Sequence, residues 1–138
     1  MNLENEISIL LVEDDDVDAT GIERSFKKRN IANPVIRATD GIDALEILRD
    51  GRIKSPYIIL LDLQMPRMNG LEFLTTIRDD EELSHSIIFV LTTSRAEEDI
   101  IASYKKHIAG YFVKDDVGAN FSDMIDVLEG YWKIAYIP

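Results

Sequence analysis

Four apolar segments of the chain each end in a polar residue that can bind a cation or an anion. Carboxylates follow two of them, at Glu13-Asp14 and at Asp62, a hydroxyl follows the third at Thr92, and an ammonium follows the fourth at Lys114. Carboxylates that lie close together repel one another, which either raises a pKa or favours the binding of a cation. Because all of these ligands are oxygens, Mg²⁺ or Mn²⁺ is the expected ion.

An ammonium and a hydroxyl beside such an ion indicate a site for a phosphoryl group. Lys114 and the metal would offset the charge that grows on a transferring phosphoryl group, and Thr92 could donate a hydrogen bond to one of its oxygens. A carboxylate that attacks phosphorus forms an acyl phosphate. Asp62 is the expected nucleophile because it ends a fully apolar segment. Asp14 is the expected direct metal ligand, and Glu13 would bind the ion directly or through water.

The segments that carry these residues alternate with segments of helical period, in which apolar residues recur every three or four positions. The predicted strands are apolar almost without interruption, which is typical of a parallel sheet covered on both faces. The order of segments therefore predicts an α/β fold, a (βα)5 doubly wound parallel sheet whose strands end at one common edge. The predicted strands are 7–12, 34–38, 57–61, 87–91 and 110–113.

The helical segments also predict which side chains face the sheet. Asp15-Asp16 and Asp40 are expected to cap the first two helices, because their carboxylates can accept from free backbone N–H groups. The inward stripes follow the helical period. They are predicted to be Ala19, Ile22 and Phe26 in the first helix, Ile42, Leu45 and Leu48 in the second, Leu71, Leu74 and Ile77 in the third, and Phe121, Met124 or Ile125, Leu128 and Trp132 in the last.

Composition and charge restrict the class of protein. A chain of 138 residues that is 46% hydrophobic fits one domain with a real core. It has no cysteine, which excludes disulfides, thiolate metal sites and cysteine nucleophiles. Its net charge of −11 opposes binding to nucleic acid and to anionic membrane surfaces. No apolar run approaches the roughly 20 residues of a transmembrane helix, so a cytoplasmic protein without membrane contact is expected.

The strand ends resemble the receiver domain of two-component response regulators. The resemblance covers nearly the whole chain and lies in LVEDD at residues 11–15, LDLQMPRMNG at 61–70, LTTS at 91–94 and GYFVK at 110–114. It implies a flavodoxin-like fold with strand order 2-1-3-4-5. It also implies that Asp62 accepts a phosphoryl group from a histidine kinase with the help of Mg²⁺.

The same resemblance implies a role for each residue of the site. The metal ligands would be Glu13, Asp14, Asp62 and the backbone carbonyl of Gln64. Thr92 and Lys114 would contact the phosphoryl oxygens. Thr92 and Tyr111 would form the switch, in which the tyrosine ring rotates inward as the threonine moves toward the phosphate. Gln64 and Ser94 occupy positions that tune hydrolysis of the acyl phosphate in this family.

The C-terminal end of the chain carries a second, shorter resemblance. We expect the receiver domain to span residues 1–130, with an apolar tail over 131–138 and no effector domain after it. The tail resembles that of small regulators that accept phosphate from bacterial and cyanobacterial phytochromes. It implies a phytochrome-type histidine kinase as donor and a homodimer formed through the last helix and the tail, with Leu128, Trp132 and Tyr136 as contacts. Folding of the tail onto its own domain is the alternative.

One position departs from the pattern of the family. Asp115 follows Lys114, where the family usually has a proline, often preceded by a cis peptide. A cis bond before a non-proline residue costs about 2.5–4 kcal/mol. Either this peptide is trans and the loop differs from the family, or the surrounding structure maintains a strained bond.

Three other functions fit the sequence less well than a phosphorylation switch. A Mg²⁺-dependent phosphatase would need a second acid two residues after the nucleophile, where this chain has Gln64. A flavin-binding protein would need hydroxyls and glycines after the first strand, where this chain has acids. An interaction module that does not depend on phosphorylation leaves the full set of acceptor residues without a purpose. We therefore expect a phosphoacceptor with slow self-dephosphorylation, not a multiple-turnover enzyme.

Overall fold

The central sheet contains five parallel strands in the order β2-β1-β3-β4-β5 in a computed structural model that describes residues 7–138. This confirms the predicted (βα)5 architecture, its flavodoxin-like class and its strand order. The strands are β1 (Ser8–Val12), β2 (Val35–Ala38), β3 (Tyr57–Leu61), β4 (Ile87–Thr92) and β5 (Gly110–Val113). The helices are α1 (Asp16–Lys28), α2 (Gly41–Arg49), α3 (Gly70–Asp79), α4 (Glu97–Lys105) and α5 (Ser122–Ile134).

Two hydrophobic clusters cover the two faces of the sheet. Successive side chains of a strand point to opposite faces, so Ile59 and Leu61 of β3 join one cluster while Ile58 and Leu60 join the other. Helices α2 and α3 pack on the first face, and α1 and α5 pack on the second. All five residues of β3 are buried, so the strand that precedes Asp62 is held on both of its faces.

Each helix follows the carboxyl end of a strand, and side chains cap three of the five helices. Asp15 accepts hydrogen bonds from the backbone of Val17 and Asp18, at 2.8 and 3.2 Å, and so starts α1. Asp40 caps α2, as predicted. Asn69 and Glu72 form a reciprocal capping box at the start of α3. These caps fix the short loops in which the candidate site residues lie.

The predicted inward stripes are confirmed except in the first turns of α2 and α3 and at Phe121, which is half-buried and precedes α5 in a left-handed conformation. Ile42 and Leu71 are half-buried because each lies at the start of its helix, at the rim of the sheet. Ala44 and Ile47 in α2 and Phe73 in α3 are buried in addition. A helix that packs on both the sheet and a neighbouring helix buries a broader stripe than three residues at ideal spacing.

The C-terminal end differs from its prediction. Helix α5 continues to Ile134, so the expected boundary between residues 130 and 131 lies inside a helix. Trp132 is 2% exposed and stacks on Phe26 with ring centroids 6.3 Å apart, and Leu128 is completely buried. The prediction that Leu128 and Trp132 form dimer contacts is therefore wrong, because the chain's own core encloses both side chains. Tyr136 remains fully exposed.

No helix within residues 7–138 is both long enough and apolar enough to cross a bilayer. This agrees with the absence of a long apolar run in the sequence.

Replacing Trp132 by alanine should lower the free energy of unfolding by about 3–5 kcal/mol, because it leaves a large cavity against Phe26. The matched control is Tyr136→Ala, which removes an exposed aromatic ring from the same end of the chain and should change stability by about 0.5 kcal/mol or less. Urea denaturation followed by circular dichroism measures both. Equal stabilities of the two variants would place Trp132 outside the core.

Candidate functional site

The carboxyl ends of β1 and β3 bring three carboxylates together. The two strands are neighbours, Val12 lies beside Leu61, and the Asp62 N–H donates to the Val12 carbonyl at 3.0 Å. One carboxylate oxygen from each of Glu13, Asp14 and Asp62 lies within 4.8 Å of the other two. Glu13 and Asp62 are buried, whereas Asp14 is exposed. An all-oxygen group of this size, open on one side, fits a hard divalent cation.

The Lys114 ammonium contacts two of these three carboxylates and one further acid. Its Nζ is 2.8 Å from Glu13 Oε1, 3.2 Å from Asp62 Oδ2 and 2.7 Å from Asp18 Oδ2. The sequence predicted that Lys114 would reach the site but did not predict its contact with Asp18. The peptide between Lys114 and Asp115 is trans, since the one cis bond within residues 7–138 precedes Pro56. The loop after β5 therefore delivers the ammonium without the cis peptide typical of the family.

The pKa of Glu13 and the pKa of Lys114 are both raised, for different physical reasons. Burial raises the pKa of Glu13 to about 8, and the negative charge of Asp62 adds to this rise, although the hydrogen bond from Lys114 opposes it. Burial alone would lower the pKa of Lys114. The hydrogen bonds to Asp18 and Glu13 outweigh this effect and raise the lysine pKa above its usual value. Lys114 is therefore a permanent positive charge among acids that repel one another.

Thr92 and Tyr111 both contact Ser94 in the loop after β4. Thr92 is completely buried, and its Oγ1 accepts a long hydrogen bond of 3.4 Å from the Ser94 N–H. The Tyr111 hydroxyl donates to the Ser94 carbonyl at 3.0 Å. Burial raises the pKa of Tyr111, so the phenol remains a donor at neutral pH. The two predicted switch residues thus lie close to the same short segment.

Gln64 lies against the phosphoacceptor candidate through its backbone. Its N–H donates to Asp62 Oδ1 at 3.1 Å. Its side-chain Oε1 accepts a hydrogen bond from Thr93 Oγ1 at 3.0 Å, which joins the loops after β3 and β4. The role of the Gln64 carbonyl as a metal ligand stays a prediction.

An ion pair between the exposed Arg67 and the buried Asp40 fixes the loop that follows Asp62. Arg67 donates to both carboxylate oxygens of Asp40, at 2.6 and 3.0 Å. Burial would raise the pKa of Asp40, but the hydrogen bonds from Arg67 and from the Asp43 backbone outweigh it and lower that pKa. Gly70 is required at the end of this loop, because a Cβ there would lie 2.5 Å from the Asp62 carbonyl oxygen.

Two site residues were missed in the sequence. Asp18 contacts Lys114, and Arg37 donates to the backbone carbonyls of Glu13 and Asp14 at 3.0 and 3.1 Å. A signal for Asp18 was available, since the first turn of a helix after a parallel strand lies at the carboxyl edge of the sheet. Arg37 gave no such signal, because it lies inside a short strand among apolar residues.

Comparison with known proteins agrees with this geometry. Residues 9–126 match the sequence profile of the family described as the response regulator receiver domain. The chain is 34% identical to response regulator Rcp1 of Synechocystis sp. over 128 residues, which cover 90% of this chain and 87% of that protein.

Solved structures of similar proteins share the fold over almost their full length. The crystal structure of the Mn²⁺-bound form of response regulator Rcp1 superposes with a TM-score of 0.81 at 33% identity and covers 96% of this chain and 99% of that one. The structure of the phosphorylated cyanobacterial phytochrome response regulator RcpA gives a TM-score of 0.81 at 32% identity, with the same coverage.

Proposed function

The chain belongs to the response regulator receiver domain family, and we propose that it is a phosphorylation switch that accepts a phosphoryl group on Asp62 from a histidine kinase. One observation carries this proposal. The Asp62 carboxylate lies at a strand end 3.2 Å from an ammonium and within 4.8 Å of two further carboxylates. A nucleophile, a fixed cation and a set of oxygen ligands for a metal therefore meet in one place.

The proposed reaction transfers a phosphoryl group from a histidine nitrogen to a carboxylate oxygen of Asp62. An Asp62 carboxylate oxygen attacks the phosphorus of a phosphohistidine, the new O–P bond forms, and the P–N bond breaks with its electron pair left on the histidine nitrogen. The Gln64 N–H and the Lys114 ammonium contact the two Asp62 oxygens and orient the carboxylate. Lys114 then contacts a phosphoryl oxygen, and the Thr92 hydroxyl donates to another.

We propose Mg²⁺ as the resident ion, held by Glu13, Asp14, Asp62 and the Gln64 carbonyl. Mn²⁺ would serve as well, in keeping with the Mn²⁺-bound form of the similar Rcp1. When bound, the ion supplies positive charge against the charge that grows on the phosphoryl oxygens. The acidic group fits this role, since its three carboxylates come from two neighbouring strand ends and need no rearrangement of the fold.

Phosphorylation would act on the rest of the protein through the segment around Ser94. A phosphoryl oxygen would draw the Thr92 hydroxyl away from the Ser94 N–H. Tyr111 bonds the carbonyl of the same residue, so a shift of this segment would release its ring to rotate inward. Such a switch needs differential stabilisation of a few kcal/mol between two states to change their populations.

We propose that the protein is not a multiple-turnover enzyme. Position 64 holds an amide whose oxygen is bonded to Thr93, so no acid stands two residues after Asp62 to activate water. The acyl phosphate should therefore hydrolyse slowly by itself.

The proposed partners are a histidine kinase of the phytochrome type and a second copy of the chain. The similarity to the phytochrome response regulator RcpA supports the first partner. Because a histidine kinase takes its phosphoryl group from ATP in the cytoplasm, we also propose a cytoplasmic location. For the second, the exposed residues Val127, Ile134 and Tyr136 of the last helix and tail take the place of the buried Leu128 and Trp132. A net charge of −11 supports a protein partner over nucleic acid.

Incubation with acetyl phosphate and Mg²⁺ should add one phosphoryl group to the protein, as measured by intact mass spectrometry. The Asp62→Asn variant should show no gain, because an amide oxygen is a poor nucleophile. A wild-type protein whose mass is unchanged, or a variant that gains the same mass, would contradict the assignment of Asp62.

Mg²⁺ should raise the stability of the folded state, because it binds carboxylates that unfolding separates. At ten times its dissociation constant, the gain is about 1.4 kcal/mol. The Asp14→Asn variant should lose most of this gain, whereas Asp115→Asn, which neutralises an exposed acid outside the metal-binding group, should retain it. Thermal unfolding with and without Mg²⁺ is the measurement, and an equal response of the two variants would refute the ligand assignment.

The Ile134→Ser and Tyr136→Ser changes should shift the protein toward monomer in sedimentation equilibrium, because they remove exposed apolar area from the proposed interface. Val17→Ser is the matched control, since Val17 is 80% exposed but lies on α1. A mass that is the same for all variants and the wild type would exclude this interface. Truncation after Gly130 is unsuitable here because it also removes Trp132 from the core.

A further inference from the structure

Lys114 is held by three carboxylates, and one of them has no other function assigned. Glu13 and Asp62 belong to the group of acids that can hold a metal ion, whereas Asp18 does not. Asp18 nevertheless makes the shortest of the three contacts, at 2.7 Å. Its side chain is 30% exposed and lies in the first turn of α1, opposite the loop that carries Lys114.

A metal ion and the ammonium would share two carboxylates, those of Glu13 and Asp62. A divalent cation bound by Glu13 and Asp62 would compete with Lys114 for the negative charge of these two carboxylates. The cation and the ammonium would also repel each other. An ammonium that loses Glu13 must find another acceptor or move into solvent, where it no longer faces the phosphoryl group. Asp18 can keep the ammonium because it gives no oxygen to the metal.

We propose that Asp18 is a positioning residue that holds the Lys114 ammonium beside Asp62 when Glu13 turns to the metal ion. Asp18 thereby allows the metal and the ammonium to occupy the site together. This inference rests on the proposed function, since it requires that the acidic group binds Mg²⁺.

The simpler role for Asp18 is that of any acid in the first turn of a helix, where its negative charge interacts favourably with the helix dipole. The two roles differ in their dependence on Lys114. A contribution to the helix dipole persists when Lys114 is absent, whereas a contribution made through the ammonium disappears.

The experiment measures the affinity of the full-length protein for Mg²⁺ by isothermal titration calorimetry. The Asp18→Asn variant should bind Mg²⁺ about fivefold more weakly, which is the expected effect of losing one partly exposed charged hydrogen bond. The charge-matched control is Asp115→Asn. Asp115 is exposed, follows Lys114 directly in the chain and is not among the partners of its ammonium, so this change should alter the affinity by less than about twofold.

A double-mutant cycle with Lys114→Met separates positioning from general electrostatics. In the Lys114→Met background, Asp18→Asn should have no more effect on Mg²⁺ affinity than Asp115→Asn. The Asp18→Glu variant should restore most of the wild-type affinity, because a longer carboxylate can still reach the ammonium. Thermal unfolding of each variant verifies that all of them are folded.

The outcomes distinguish this inference from the function on which it rests. If the wild type binds Mg²⁺ and is phosphorylated on Asp62 but Asp18→Asn matches Asp115→Asn, only the role of Asp18 is refuted. The same holds if the effect of Asp18→Asn is undiminished without Lys114. A wild type that binds no Mg²⁺ would refute both the role of Asp18 and the proposed function.

Discussion

Mutual repulsion of acids at one edge of the sheet is the constraint on which the structure of the site depends. Two like charges 4 Å apart repel by about 4 kcal/mol at an effective dielectric constant near 20, and this site gathers several. Unconstrained loops would relieve the repulsion by moving apart. The fold prevents this because Glu13 and Asp62 directly follow two adjacent, fully packed strands. Burial of Glu13 at this edge is the main reason that its pKa rises to about 8, and repulsion from Asp62 adds to the rise.

Several contacts outside the acidic group maintain it. Arg37 holds the backbone after β1, the Arg67–Asp40 pair holds the loop after β3, and Gly70 allows α3 to begin against the Asp62 carbonyl. None of these three touches the carboxylate of Asp62. They act on backbone position, which is what keeps oxygens from separate segments within reach of one ion. The gathered acids thus destabilise the fold locally, and burial in the two hydrophobic clusters offsets that cost.

The sequence was sufficient for the strands and for most of the site because both depend on local pattern. Uninterrupted apolar runs identified the strands, and parallel topology then placed the residue after each strand at a common edge. The topology places Asp18 at this edge, but its contact with Lys114 joins residues 96 positions apart, and no local pattern indicates such a contact. Leu128 and Trp132 were assigned to a dimer on the resemblance of the tail, although both also belong to the apolar stripe predicted to face the sheet. An apolar stripe shows only that it is covered. The sequence does not show whether the cover is the chain's own sheet or a partner.

The contacts of the site also indicate how the proposed phosphorylation of Asp62 would reach a distant surface. Lys114 links β5 to α1 and to both acidic strand ends, while Ser94 links Thr92 to Tyr111. A phosphoryl group on Asp62 would accept hydrogen bonds from both Lys114 and Thr92. It would therefore weaken the present contacts of both residues at the same time. Helix α4 follows Ser94 and buries only Ser103, with no side-chain cap at its start. An element with so little buried surface costs little to displace, so a shift at Ser94 would be passed on to α4 at a low cost in free energy.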